Sequence, residues 1–320
     1  MLMARAYTGN YDFIALRNGY HGGSAAPMGL TAHSTWKFNT PQGFGVHHSV
    51  LPDRYRGPIG YDDPKAGEKY AMDVADLIRT ATPGKVAGFI AEPMQGVGGV
   101  VEMPPGYLPA VYKTVREAGG LCISDEVQTG FGRTGENFWG FQTVSGAGVP
   151  SVFPDIVTMA KGIGNGCPLA AVVTRPEIAK TLTSRIHFNT FGGNPVSMAQ
   201  GLATLNVLTD ENYQGQAKSK GAKLFAGLRE LQKKHPLIGD IRGKGLMCGV
   251  DLVTDRTTKA PATAQCATIF ERCKDLGLII GKGGLSGNVL RIKPPMCLSE
   301  QDIEFMLGVL DVAMGEVEKA

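Results

Sequence analysis

A lysine and a pair of carboxylates, each standing at the end of an apolar run, are the residues whose chemistry the rest of this chain must place. Lys161 follows Asp155-Ile-Val-Thr-Met-Ala160 and precedes Gly162-Ile-Gly-Asn-Gly166. Asp125 and Glu126 follow Leu121-Cys-Ile-Ser124 and precede Val127-Gln-Thr-Gly-Phe-Gly-Arg-Thr-Gly135. An apolar run that stops abruptly at ionisable residues and then glycines reads as a buried parallel strand ending at a site. In open α/β sheets, ligands collect outside the carboxyl ends of the strands. An amine and a carboxylate delivered there suit a cofactor that needs one to hold its aldehyde and the other to keep its ring nitrogen protonated. Pyridoxal phosphate has that chemistry.

Other signals are weaker. Gly130-Phe-Gly-Arg-Thr-Gly135 matches the dinucleotide fingerprint GxGxxG, but Asp-Glu-Val-Gln-Thr separates it from the strand and no helix opens after it. A Walker B role for Asp125 fails because no GxxxxGK[ST] occurs. His47-His48 has no third ligand at metal spacing, so no metal site is expected. The six cysteines form no CxxC pair and most lie in apolar stretches, which reads as buried free thiols. Glu92, at the end of an apolar run, is expected to orient a neighbour of Asp125 or to cap.

The elements around these residues alternate. Residues 1–9 read as the last turns of a helix ending at Gly9. Strands are expected at 12–17, 86–93, at the Asp125 and Lys161 runs, and at 169–174; helices are expected at 71–79 and 107–118. Residues 29–69, with four prolines, read as irregular and as functional or interfacial on grounds of length. Such alternation predicts an α/β fold with a doubly wound, mainly parallel sheet. A helix at 195–208 ends this large domain, expected over residues 1–208. Residues 209–320 read as a smaller α+β domain. Its helices fall at 218–234 and along Ile303, Leu307, Leu310 and Met314, and its strands at 241–251 and 289–293.

Composition sets limits. At 320 residues, 43% hydrophobic and 19% charged, the chain is long enough for two domains and a large core. A net charge of +3 without a Lys/Arg block gives no argument for nucleic acid or a membrane surface, and no apolar run approaches a membrane span.

The paired stretches 124–135 and 158–166 resemble the class-III pyridoxal-phosphate aminotransferases, and the resemblance runs the length of the chain. It implies a fold-type I transferase that moves an amino group from alanine to glyoxylate, releasing pyruvate and glycine, with ping-pong kinetics. It implies that Lys161 holds the cofactor's aldehyde and shuttles the proton, and that Asp125 faces the ring nitrogen. Tyr20 then stacks on one ring face, with His21 and Gly22 beside it, while Val127 packs on the other face and Gln128 reaches the phenolic oxygen. Thr190 reaches across a homodimer to the neighbour's cofactor phosphate, and Arg291 grips the substrate carboxylate. Val97 stands where relatives that alternate between ω-amines and 2-oxoglutarate commonly carry a glutamate, so Arg291 is expected to stay an open anion site. Eukaryotic members of this type are mitochondrial. Against the family, the chain is expected to lack an upstream region whose Gly-Ser/Thr loop opens the helix of residues 1–9. Two other readings stay open: an ω-amino-acid–pyruvate transaminase, and a truncated, cofactor-poor subunit.

Overall fold

The computed structural model describes residues 1–39, 41–143 and 152–319. The chain divides into two compact units. The first holds Met1–Pro93, Met103–Phe131 and Trp139–Asp210; the second holds Met94–Glu102, Gly132–Phe138 and Glu211–Ala320. Residues 94–102 and 132–138 therefore pack with the second unit, although the sequence places them inside the 1–208 stretch.

The first unit is built on a six-stranded sheet. Its strand order is Val46–Ser49, Phe13–Leu16, Gly88–Ala91, Leu121–Asp125, Ile156–Met159 and Ala171–Thr174. All neighbours run parallel except the last pair, which is antiparallel. Successive side chains point to opposite faces, and both faces of the inner strands Phe13–Leu16, Gly88–Ala91 and Leu121–Asp125 are covered. Ile14, Leu16, Phe89 and Cys122 pack with Tyr70, Val74, Tyr107, Val111 and Val115 from the helices Ala66–Ala81 and Tyr107–Glu117. Phe13, Ala15, Ile90, Leu121, Ile123 and Ile156 pack on the other side with Ala4, Leu30 and Ile178. Burial on both sides is why these inner strands read as continuous apolar runs.

Three local expectations change. The irregular stretch 29–69 contains the edge strand Val46–Ser49, whose two histidines and incomplete burial hide it from an apolar pattern. The helix expected at 71–79 runs from Ala66 to Ala81. The single strand expected at 241–251 is an antiparallel hairpin, Ile238–Lys244 with Met247–Asp255, because Gly245 turns the chain at φ 55°.

In the second unit that hairpin joins Val289–Ile292, Gly281–Gly283 and Ala260–Pro261 in one sheet. The helices Tyr213–Lys234, Thr263–Asp275 and Glu300–Val317 bury Leu224, Leu228, Cys266, Ile269, Ile303 and Leu310 with it. The last helix opens with a reciprocal cap between Ser299 and Asp302.

Candidate active site

The order of the sheet decides where its carboxyl edge opens. Phe13–Leu16 has Val46–Ser49 on one side and Gly88–Ala91 on the other, so the winding reverses there. The loops leaving the two strands Phe13–Leu16 and Gly88–Ala91 carry Tyr20-His21 and Glu92, and the next strand in the sheet ends at Asp125. A crevice at a point of reversal is where α/β sheets bind ligands.

Asp125 is 7% exposed. Its Oδ2 lies 2.8 Å from Nδ1 of His21, and its Oδ1 accepts the N–H of Val127 at 3.2 Å. The His21 side chain is 2% exposed. Burial opposes a charge on its ring, but the hydrogen bond and charge of Asp125, with Glu92 behind, outweigh that and raise its pKa. The backbone N–H of Tyr20 donates to Oε1 of Glu92 at 3.1 Å. The Tyr20 ring packs against Trp36, centroids 4.8 Å apart. Gly22, at φ 111°, takes a backbone that other residues rarely adopt. Val127 and Gln128 are half-buried.

Glu126, next to Asp125, is fully buried and does something else. One carboxylate oxygen accepts from the N–H of Gly140 and the hydroxyl of Thr129, and the other from the N–H of Phe141 and the hydroxyl of Ser124. Burial pushes its pKa up, against the pull of those donors. Glu126 ties the chain after the strand to the short helix Gly140–Thr143.

Lys161 reaches the same edge by a different construction. Register places Asp125 beside Thr158, three residues before the lysine. Lys161 is exposed and held at φ 51° as it enters the 3-10 turn Lys161–Gly164. A left-handed backbone at a lysine costs about 1–2 kcal/mol, a strain that persists where surrounding structure imposes it. An open concavity there is lined by Lys161, Gly162, Asn165, Cys167 and Leu169. The helix Pro195–Asp210 backs the turn, with Gly201 so close to Leu169 that an added Cβ would meet its Cδ2 at 2.5 Å. Thr190 stands exposed in the turn before that helix, where Oδ1 of Asn189 accepts from the N–H groups of Phe191 and Gly192. Ile186, Phe188, Phe191, Val172 and Val173 are also exposed.

Arg291 lies in the second unit, on Val289–Ile292. Its Nε donates to the carbonyl of Lys282 at 3.1 Å. A Cβ on Gly283 would come within 2.8 Å of Arg291 Nε and 2.7 Å of the Val97 carbonyl, so the glycine leaves the arginine its path. Arg242, buried, ties the neighbouring loop down. It donates to the Gly99 carbonyl and to Asp251 and Asp240, each at 3.0 Å.

The structure thus brings Tyr20, His21, Gly22, Asp125 and Val127 together and sets Lys161 at the same sheet edge. Thr190 sits on an exposed turn, and Arg291 sits in the second unit. Sequence reasoning missed Thr31, whose hydroxyl holds the His21 peptide, and Arg242. Neither sits in a motif or a period that would have flagged it. Among the described residues, no group of three or more His, Cys, Asp or Glu could hold a metal ion.

Comparison with known proteins adds a family. The model of the class-III aminotransferases matches residues 1–314. The chain is 55% identical over 317 residues to "Alanine--glyoxylate aminotransferase 2 homolog 2, mitochondrial" of Arabidopsis thaliana, covering 99% of the chain and 64% of that protein. It is 43% identical to "Alanine--glyoxylate aminotransferase 2, mitochondrial" of Homo sapiens, covering 98% and 64%. The chain therefore spans about 64% of the length of these curated relatives. Among solved structures, a Bacillus anthracis aminotransferase superposes with a TM-score of 0.89 at 35% identity, covering 98% of this chain and 72% of that one. An Arthrobacter phospholyase in complex with phosphoethanolamine superposes with a TM-score of 0.90 at 33% identity, covering 98% and 73%.

Proposed function

The chain belongs to the class-III aminotransferase family, and from that premise we propose that it is a pyridoxal-phosphate transaminase passing the amino group of alanine to glyoxylate. The observation that carries the reading is the buried Asp125–His21 pair, set one strand from the segment that presents Lys161. The residues fit the cofactor. A buried carboxylate backed by a histidine suits a protonated ring nitrogen, and an exposed primary amine on a strained backbone suits an aldehyde. Bound there, pyridoxal phosphate supplies an electron sink for the bonds of the amino-bearing carbon.

The chain's own residues then have separate tasks. Lys161 Nζ would take the proton from the donor's amino-bearing carbon and deliver it to the aldehyde-derived carbon of the cofactor that retains the amino group, the exchange running in reverse with glyoxylate. Asp125 would keep the cofactor's ring nitrogen protonated, with His21 fixing the carboxylate. Tyr20 and Val127 are proposed to flank the ring, and Gln128 to meet its phenolic oxygen. Thr190 is proposed to serve the phosphate of a second copy, which makes the working form a homodimer. The exposed apolar side chains around Thr190, from Ile186 to Phe191, support that assembly. Arg291 is proposed to take the substrate carboxylate, which a planar guanidinium can grip bidentately. Val97 offers that arginine no carboxylate, so alanine, pyruvate, glycine and glyoxylate fit better than an amine lacking an α-carboxylate. We place the protein in mitochondria, because the Arabidopsis and human relatives are so named; no described helix is long and apolar enough to cross a membrane.

The test is steady-state and half-reaction kinetics of the cofactor-loaded protein. Alanine and glyoxylate should turn over with parallel-line ping-pong patterns. Faster turnover of β-aminoisobutyrate with pyruvate would give the site to ω-amino acids instead. Val97→Glu should lower kcat/KM for alanine and glyoxylate by about tenfold, the loss of a charged contact worth about 1.4 kcal/mol.

A further inference from the structure

Thr31 has no place in the chemistry above, yet it is fully buried at the Asp125 end of the site. Its hydroxyl accepts the N–H of His21 at 3.0 Å and donates to the carbonyl of Gly22 at 3.0 Å. The turn around it is otherwise held by Asn18 N–H to the Ala32 carbonyl, Ala32 N–H to the Gly19 carbonyl, and Tyr20 N–H to Glu92. Those bonds end at Tyr20. The next two residues, His21 and Gly22, depend on the Thr31 hydroxyl.

That dependence matters because Gly22 is permissive. It already sits at φ 111°, and a glycine can leave such a conformation at little cost. Without the hydroxyl, a half-buried N–H and a half-buried carbonyl lose their partner, at a cost of up to about 1–3 kcal/mol each where no other group replaces it. The cheapest relief is rotation of the His21–Gly22 peptides toward other partners. Such a rotation carries the His21 ring away from the Asp125 carboxylate it meets at 2.8 Å. We propose that Thr31 is a positioning residue: its hydroxyl fixes the His21 backbone so that the ring stays on Asp125. It acts through His21 and touches neither cofactor nor substrate. The proposal rests on the reading of Asp125 as the cofactor's carboxylate only for its functional consequence; the contact it explains belongs to the protein alone.

The charged and titratable groups acting on the His21 ring are Asp125 and Glu92, and His48 lies near enough to feel its charge. A His21 ring displaced from Asp125 loses the partner that raises its pKa. The experiment is NMR titration of ring-labelled histidines in the 320-residue chain, with pyridoxal-phosphate affinity measured beside it. In the unsubstituted protein and in Thr31→Ser, which keeps the hydroxyl, His21 should titrate above the ordinary value of 6.5. In Thr31→Val, which keeps the shape and loses the hydroxyl, its midpoint should fall and the dissociation constant for pyridoxal phosphate should rise on the order of tenfold. Thr31→Ala makes the same test if the valine variant does not fold. An unchanged His21 midpoint in the valine or alanine variant overturns the proposal, as does an equal fall in the serine variant. Asp125→Asn separates the two readings. If it binds the cofactor as tightly as the parent, the role of Asp125 fails, while the His21 midpoints still decide the role of Thr31.

Discussion

The two ends of the candidate site are built by opposite means. At the Asp125 end the hydrogen-bonding side chains are enclosed: Thr31 is 0% exposed, Glu92 4% and Asp125 7%, and each carries a hydrogen bond to a neighbour on another segment. At the Lys161 end the lysine stands exposed on a left-handed backbone, and Ile186 and Phe191 beside Thr190 are 98% and 81% exposed. The enclosed end is fixed by its own chain, so its geometry is set before any ligand arrives. The exposed end has reach, which the proton-moving amine proposed at Lys161 needs, but its apolar neighbours call for cover.

The largest expected effect falls on the exposed end. Lys161→Ala should abolish transamination and the visible absorbance of bound cofactor while leaving far-UV circular dichroism unchanged. Retained turnover would show that another lysine does the work. Next comes the cover. Phe188→Asp combined with Phe191→Asp should turn a dimer into a monomer of 33.9 kDa in sedimentation. A parent protein that is already monomeric, yet holds cofactor tightly, would remove the case for a shared site.

The enclosed end should respond in stability. Glu126 accepts four hydrogen bonds, and glutamine would turn an NH₂ toward some of those donors. Glu126→Gln should cost about 2–3 kcal/mol in urea unfolding, because buried donors left unmet cost about 1–3 kcal/mol. Asp125→Asn should cost less than half of that and weaken cofactor binding instead. Equal costs would mean that the two adjacent carboxylates are not divided as argued. The smallest effect is in pH dependence. The folded pKa of His21 is raised, so its contact with Asp125 contributes fully below the ordinary value of 6.5 and fades as pH rises through the folded value. Asp125→Asn should flatten that slope in stability measured across the histidine range.

One residue at each end, Lys161 and Asp125, was legible in the sequence itself, and the reason is physical. Parallel strands buried on both faces appear as apolar runs, and a run halted by Lys161 or Asp125 announces its carboxyl end. His21 and Tyr20 came through resemblance, since an aromatic and a histidine after a strand look like many others. Thr31 was invisible because its hydroxyl acts across a ten-residue loop, and nothing in Gly29-Leu-Thr31 marks it. The edge strand Val46–Ser49 hid behind two histidines. Residues 94–102 and 132–138 read as parts of the first domain because sequence shows neighbours in the chain, whereas Arg242 and its carboxylates gather one of these segments by tertiary contact.

The most direct test is to load the protein with pyridoxal phosphate, reduce it with borohydride, digest it and map the modified peptide by mass spectrometry. The phosphopyridoxyl mass should sit on Lys161 in the parent and vanish in Lys161→Ala. Modification centred on a different lysine, or spread over many at equal yield, would contradict the placement of the site at this edge of the sheet.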